Sequence, residues 1–227
     1  GAEFNGRWHS YCGRRLHTEV LTGFRTLRLE ETLSIKDTVS PLTDNAEVDF
    51  NGVPISAGDI IIDRDGFRTE NQFYGFQIGG KLRWELDRAF VDLTGKVALG
   101  VTDQRARIEG STTLITPGLT QTAVGGILAL PSNIGEHNRQ VFGVVPELGL
   151  TLGADITHHL RATAGYSFLL WSGVTRPGQL IDRNVNPVQV PTDQDFATAQ
   201  GAGRPAFRWR EEVLFLHTLN FGLEFHY

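Results

Sequence analysis

Few residues in this sequence are of a type and spacing that could do chemistry. His158 and His159 stand side by side between two alternating apolar runs. Adjacent residues on a strand point to opposite faces, and no acidic or His partner lies at ligand spacing, so solvated turn histidines without metal are expected. Asp63, Asp65 and Gly66 resemble part of a calcium loop, but the first ligand position would be Ile61 and the twelfth Gln72. A turn before a strand is the better reading. His137 follows Glu136, and no motif places a Ser or Asp beside it. Cys12, the single cysteine, precedes a turn at Arg14 to Thr18 and has neither a CxxC spacing nor a placed His. It reads as a buried or rim thiol. Arg176 and Arg204 each precede Pro and are expected to brace loops. The expectation is therefore no catalytic group, no metal, no cofactor and no enzymatic activity.

Composition narrows the class. Lys+Arg of 21 against Asp+Glu of 26 leaves a net charge of -5, which lacks the electropositive footprint that a nucleic acid demands. The longest apolar stretch, Ala123 to Leu130, is far short of the ~20 residues a spanning helix needs. Gly is abundant at 26 of 227 residues. What remains is a β-rich chain, read as one domain over 1–227, whose hydrophobicity is hidden in alternation.

Period 2 dominates. Tyr74, Phe76, Ile78, Gly80, Leu82 and Trp84 alternate with Gly75, Gln77, Gly79, Lys81, Arg83 and Glu85. After Asp87 and Arg88 the pattern resumes with Val91, Leu93, Gly95, Val97, Leu99 and Val101 against Asp92, Thr94, Lys96, Ala98 and Gly100. Phe142 to Leu152 and Leu160 to Leu170 repeat it around a turn at Thr157 to His159, and Val213, Phe215, His217, Leu219, Phe221, Leu223, Phe225 and Tyr227 close the chain. His217 thus reads as an interfacial residue of the last strand. The predicted strands are Glu19 to Lys36, Gly66 to Glu85, Arg88 to Ile108, Val141 to Ile156, His158 to Trp171 and Arg210 to Tyr227, with a stub from Gly1. Three long irregular stretches separate them, about Asp37 to Asp65, Glu109 to Asn138 and Ser172 to Trp209, and Thr122 to Leu130 could hold a short hairpin.

Runs this long exceed the strands of soluble sheets, which rarely pass ten residues. Tyr74 and Trp84, like Phe215 and Phe225, lie ten residues apart on one face. At ~3.3 Å rise and ~40° tilt that is about 25 Å, the height of a lipid-facing band between aromatic girdles. The fold class expected is all-β, an antiparallel transmembrane β-barrel with short periplasmic turns and long extracellular loops. Tyr74, Trp84, Tyr166, Phe215 and Phe225 are its girdle candidates. Alternation assigns Arg28, Lys81, Arg83, Lys96 and Arg161 with Glu30, Glu85, Asp92, Glu147, Asp155, Glu212 and Glu224 to a hydrated lumen, as cross-strand pairs or a charge-lined pore. Seven strands is odd whereas bacterial single-chain barrels are even, so at least one strand is expected before Gly1, and the sequence reads as the C-terminal part of a longer barrel.

Asn220, Gly222, Phe225 and Tyr227 match the pattern polar, Gly, aromatic, aromatic by which the outer-membrane assembly machinery recognises last strands. The run from Asp65 to Gly75, Lys96 to Gly100, Ser132 to Gly135, Val145 to Glu147, Leu160 to Ala162, Gly165 and Tyr166, Trp171 and Ser172, Arg176 to Gly178, Ile181 and Asp182, and Leu219 to Phe225 together resemble the beta-barrel porin family of planctomycete outer membranes. The resemblance covers nearly the whole chain. It implies a bacterial outer-membrane location, a barrel, and further N-terminal strands with a signal peptide. A local disulfide found near Cys12 in relatives does not transfer to a chain with one Cys.

The expected function is that of an integral envelope protein, structural or loop-presenting with a narrow pore. The alternative is a general porin for small hydrophilic solutes, and the third reading an outer-membrane enzyme barrel. Expected partners are outer-membrane lipid, the assembly machinery, and neighbouring barrels or other envelope proteins.

Overall fold

A computed structural model describes residues 1–44, 49–196 and 202–225. Its ten strands are β1 (Ala2–Cys12), β2 (Leu16–Val39), β3 (Asp49–Phe50), β4 (Val53–Pro54), β5 (Ile60–Glu85), β6 (Ala89–Thr116), β7 (Leu119–Val124), β8 (Gly135–Asp155), β9 (Leu160–Val174) and β10 (Glu212–Phe225). Seven of them form one antiparallel meander in the order β1-β2-β5-β6-β8-β9-β10. β7 adds a short hairpin partner to the end of β6, and β3 and β4 form a separate ribbon. Among the described residues there is no α-helix, only two 3-10 turns at Pro177–Leu180 and Pro187–Gln189. β1 and β10 are the edges of the meander, and among the described residues they do not pair with each other.

Long in-phase alternation produces long strands, since a pleated strand puts every second side chain on one face. β5 and β6 run for 26 and 28 residues, beyond the expected Gly66 to Glu85 and Arg88 to Ile108. The extension was hidden because Ile60, Ile61 and Ile62 do not alternate and Asp63 and Asp65 read as turn residues; both carboxylates are in fact buried inside β5. The hairpin expected at Thr122 to Leu130 lies earlier, with β7 paired to Ser111–Thr116, while the residues after Val124 leave the sheet.

The wall has a convex and a concave face. On the convex face, the aligned residues Thr26, Tyr74, Val101 and Phe142 top a band that continues through Phe24, Phe76, Leu99 and Val144 to Leu16, Trp84, Val91 and Leu152. One side-chain row above it the convex residues become Arg28, Gln72, Asp103 and Gln140, then Glu30, Glu70, Arg105 and Asn138. Apolar side chains in the band are exposed, Phe76 at 60%, Phe142 at 68% and Leu148 at 61%. Single exposed apolar residues are ordinary, but a continuous belt marks a surface that meets something apolar.

The core lies on the concave face, mostly above the level of that belt, with Ala98 and Val145 in register with its upper rows. Phe67, Ala106, Ile108, Ala129 and Leu180 form one buried cluster, with Leu33, Ile35, Phe207 and Trp209 packed against it. Phe73, Ala98, Val145, Trp171 and Val174 form a second, with Leu27 and Leu29 at its margin. Residues of 125–134, 175–196 and 202–211, though largely irregular, supply part of this core, among them Ala129, Leu180, Phe207 and Trp209.

Candidate functional site

The concave face has two storeys. In the lower one, strand alternation turns Glu3, Arg25, Gln77, Lys96 and Glu147 toward a single cluster. The Lys96 Nζ donates to Glu3 Oε1 and Oε2 at 2.9 and 3.0 Å and lies 3.2 Å from Glu147 Oε1. The Arg25 guanidinium, its side chain 5% exposed, bonds both Glu3 and Glu147, and Gln77 donates to Glu3 at 3.2 Å. Nearer the short turns, Arg83 grips Asp92 with two bonds of 2.7 Å, and Lys81 reaches the same carboxylate at 2.8 Å. Arg83 and Arg161 also lie over the Phe90 ring at 4.3 and 5.3 Å, and Arg161 bonds Asp155 at 2.7 Å. That ring fills the space above Gly153, where any Cβ would fall 2.1 Å from it, so glycine is required by close approach.

Of the charges assigned to one face, Lys81, Arg83, Glu85, Asp92, Lys96, Glu147 and Arg161 do share the concave side, and Glu224 is the registered partner of Arg161. Arg28 and Glu30 do not. They stand on the convex face with Glu70 and Arg68, Arg28 Nε lying 3.1 Å from Glu70 Oε1 and Arg68 bonding Glu30. Physical context explains the correction. In β2 the apolar set Leu27, Leu29, Leu33 and Ile35 packs inward here, because above the apolar belt the dry side of the wall is the inside. The girdle candidates Tyr74, Trp84, Tyr166, Phe215 and Phe225 are all exposed on the convex face, where Tyr166 Oη shares a 2.6 Å hydrogen bond with His217 Nδ1. Asn220 and Gly222 face inward opposite Gly165 and Thr163, Phe225 faces outward, and Tyr227 lies outside the described residues.

The expectation that no His accompanies Cys12 is corrected as well. The tight connection at 13–15 sets His17 opposite Cys12, with Sγ 3.2 Å from Nδ1, while His17 Nε2 stands 3.7 Å from Glu85. These groups line a cleft of about 390 Å³ with Arg7, His9 and Glu19. Among the described residues, no three or more His, Cys, Asp or Glu side chains are arranged to hold a metal ion.

The upper storey is closed by the chain itself. Asn71, fully buried, donates to the Thr175 carbonyl at 2.8 Å and accepts from its N–H at 2.9 Å. Gln104 donates to the Gly173 carbonyl, and the Trp171 indole N–H donates to Thr102. Arg176 forks onto Glu31 at 2.7 to 3.2 Å, a bidentate geometry, and this pairing holds its guanidinium above its ordinary pKa. Asp65 accepts from the backbone N–H groups of Ile127, Leu128 and Ala129, which fastens 125–134 over the sheet. Asp63 beside it accepts from Thr112 at 2.5 Å, and burial raises its pKa despite that bond. His137 stacks on Phe207, with ring centroids 3.5 Å apart. Periodicity missed Asp65, Asn71 and Arg25 because a buried polar group is recognisable only once its distant partner is placed.

An antiparallel meander with an apolar convex belt, paired charges within and loops returned to the concave side is the architecture of a β-barrel wall. The chain belongs to a beta-barrel porin family, the one described as Putative beta barrel porin-7, whose profile matches residues 1–227. No curated protein and no solved structure matches it.

Proposed function

We propose that the chain forms the wall of a transmembrane barrel in the bacterial outer membrane and acts as a structural, loop-presenting envelope component without enzymatic activity. In this reading the convex belt meets lipid and the connections at 13–15, 86–88 and 156–159 face the periplasm. The long connections face outward, where they meet neighbouring barrels or other envelope proteins. Support for membrane placement comes from the belt: its apolar rows give way in one step to a charged convex face, as expected where lipid gives way to water.

The observation that carries the structural role is the filled upper interior. Phe67, Phe73, Trp171 and Leu180 are at most 2% exposed there, and the long connections contribute Ala129, Leu180, Phe207 and Trp209 to the packing around Phe67. Below, each cation of the central cluster is engaged by a carboxylate, so the lower storey is braced rather than open. The family's description favours a second reading, a porin for small hydrophilic solutes. Full-length protein in planar bilayers separates them. Conductance near the leak level is expected, rising when Asn71→Ala and Asp65→Ala together free the two loops. Large steady conductance from the unaltered protein would overturn the structural reading in favour of the porin. Recovery in the soluble fraction without detergent would overturn membrane placement.

A further inference from the structure

We propose that the long connection between β9 and β10 carries a binding site for a tetrahedral oxyanion, phosphate or sulfate, built by Arg204, Arg208 and Arg210. The site follows from the local sequence Phe207, Arg208, Trp209, Arg210. Burial alternates along this stretch, and its two aromatic residues are drawn to the wall: Phe207 stacks on His137, and the Arg139 guanidinium lies 4.5 Å from the Trp209 ring. Both pack against the buried cluster around Phe67 and Leu180. With the odd positions held inward, Arg208 and Arg210 are exposed on the other side, where they line a cleft of about 90 Å³ with Arg204, Asn184, Gln179 and Asp182. Aromatic anchors thus preorganise the arginines, which lowers the ordering cost of binding.

The charge balance of the cleft supports an anion. Its one carboxylate is already saturated. Asp182 accepts from the Ala206 and Asn184 amides at 3.0 Å each and from Arg204 Nη1 at 2.8 Å, and those donors hold its pKa down to about 2. Glu211, next along the chain, is engaged by Arg139 at 2.6 Å, and Glu212 accepts from Gln179. Arg208 and Arg210 make no ion pair among the described residues. Arg208 and Arg210, with the edge of Arg204 that Asp182 leaves free, line a space the size of one small anion, and the paired N–H donors of a guanidinium suit the oxygens of phosphate or sulfate. The chain as a whole carries -5, so this is a local reversal of its charge rather than a general cationic surface.

Isothermal titration of the detergent-solubilised full chain with inorganic phosphate, inorganic sulfate, phenyl phosphate and acetate at low ionic strength tests the site. Saturable binding of phosphate and sulfate is expected, with acetate at least tenfold weaker. Tight binding of phenyl phosphate would identify an esterified ligand, and its exclusion the free anion. Arg208→Gln with Arg210→Gln should weaken phosphate at least tenfold. The corresponding Lys pair should weaken it severalfold, since charge is kept and the fork is lost. Arg7→Gln, in the cleft at the opposite end of the wall, should change nothing. No saturable binding by the unaltered protein overturns the proposal, as does equal binding by the Arg208→Gln, Arg210→Gln form when its heat-modifiable migration shows it folded, or equal affinity for acetate.

Discussion

Lys96 Nζ lies 2.9 Å from Glu3 Oε1 although β2 and β5 stand between their strands. Strands pair about 4.8 Å apart, so three steps across a flat sheet would be roughly 14 Å, more than two side chains on one face close without curvature. The same cluster takes Arg25 from β2 and Glu147 from β8, so the concave charges are brought together by the curl of the wall. Removing one cation should therefore cost more than a surface pair would. Arg25→Met leaves two carboxylates facing one remaining cation, and a loss of about 3 to 5 kcal/mol is expected. Arg25→Met combined with Glu147→Gln should lose less than the two single changes added together. Urea titrations in lipid vesicles give all three values.

Leu150 and Thr151 are neighbours on β8 that face opposite ways, Leu150 outward at 42% exposure and Thr151 inward beside Asp92 and Gly165. Leu150→Arg puts a cation on the apolar belt and should cost ~2 to 4 kcal/mol, whereas Thr151→Arg enters a face that already holds paired charge and should cost less. Unfolding midpoints in the reverse order would show that the convex face does not meet lipid.

Asp65 is a clamp for a loop 62 to 64 residues away, holding three backbone N–H groups of 127–129. Asp65→Ala strands those donors, and each unsatisfied buried group costs ~1 to 3 kcal/mol. The expected result is faster proteolysis within 125–134 at unchanged barrel yield. Unaltered digestion would show that packing alone holds the loop.

The Asp182 carboxyl is held to about 2 against an ordinary value of 3.8, first by the Ala206 and Asn184 amides and then by Arg204. A depressed carboxylate contributes stability that is complete above its unfolded pKa and disappears as pH falls through the folded one. The 182–206 junction should therefore be tight above about pH 5 and loosen between about 4 and 2. Amide exchange at Ala206 and Asn184 should rise in that window once corrected for its intrinsic pH dependence. Asp182→Asn should flatten the response.

Alternation by itself determined most of the long strands, the face on which Tyr74 to Trp84 stand, and the antiparallel meander, because a pleated backbone has a period of two whatever surrounds it. Family membership was legible too, in motifs spread along nearly the whole chain. Alternation did not say which side of a strand is dry. Within the belt the apolar set points outward, whereas above it Leu27, Leu29, Leu33 and Phe67 point inward, with no change of phase in the strand. Arg28 and Glu30 were accordingly expected inside and stand outside. Only the tertiary structure decided this, since the returning loops create a dry interior that a strand cannot signal locally. It also decided the partners of Asp65, Asn71 and Cys12. The first two meet residues about 60 and 100 positions away, and the third depends on how sharply three residues turn between β1 and β2. Burial and pairing at such separations are properties of the closed contact, and no local pattern of residue types encodes them.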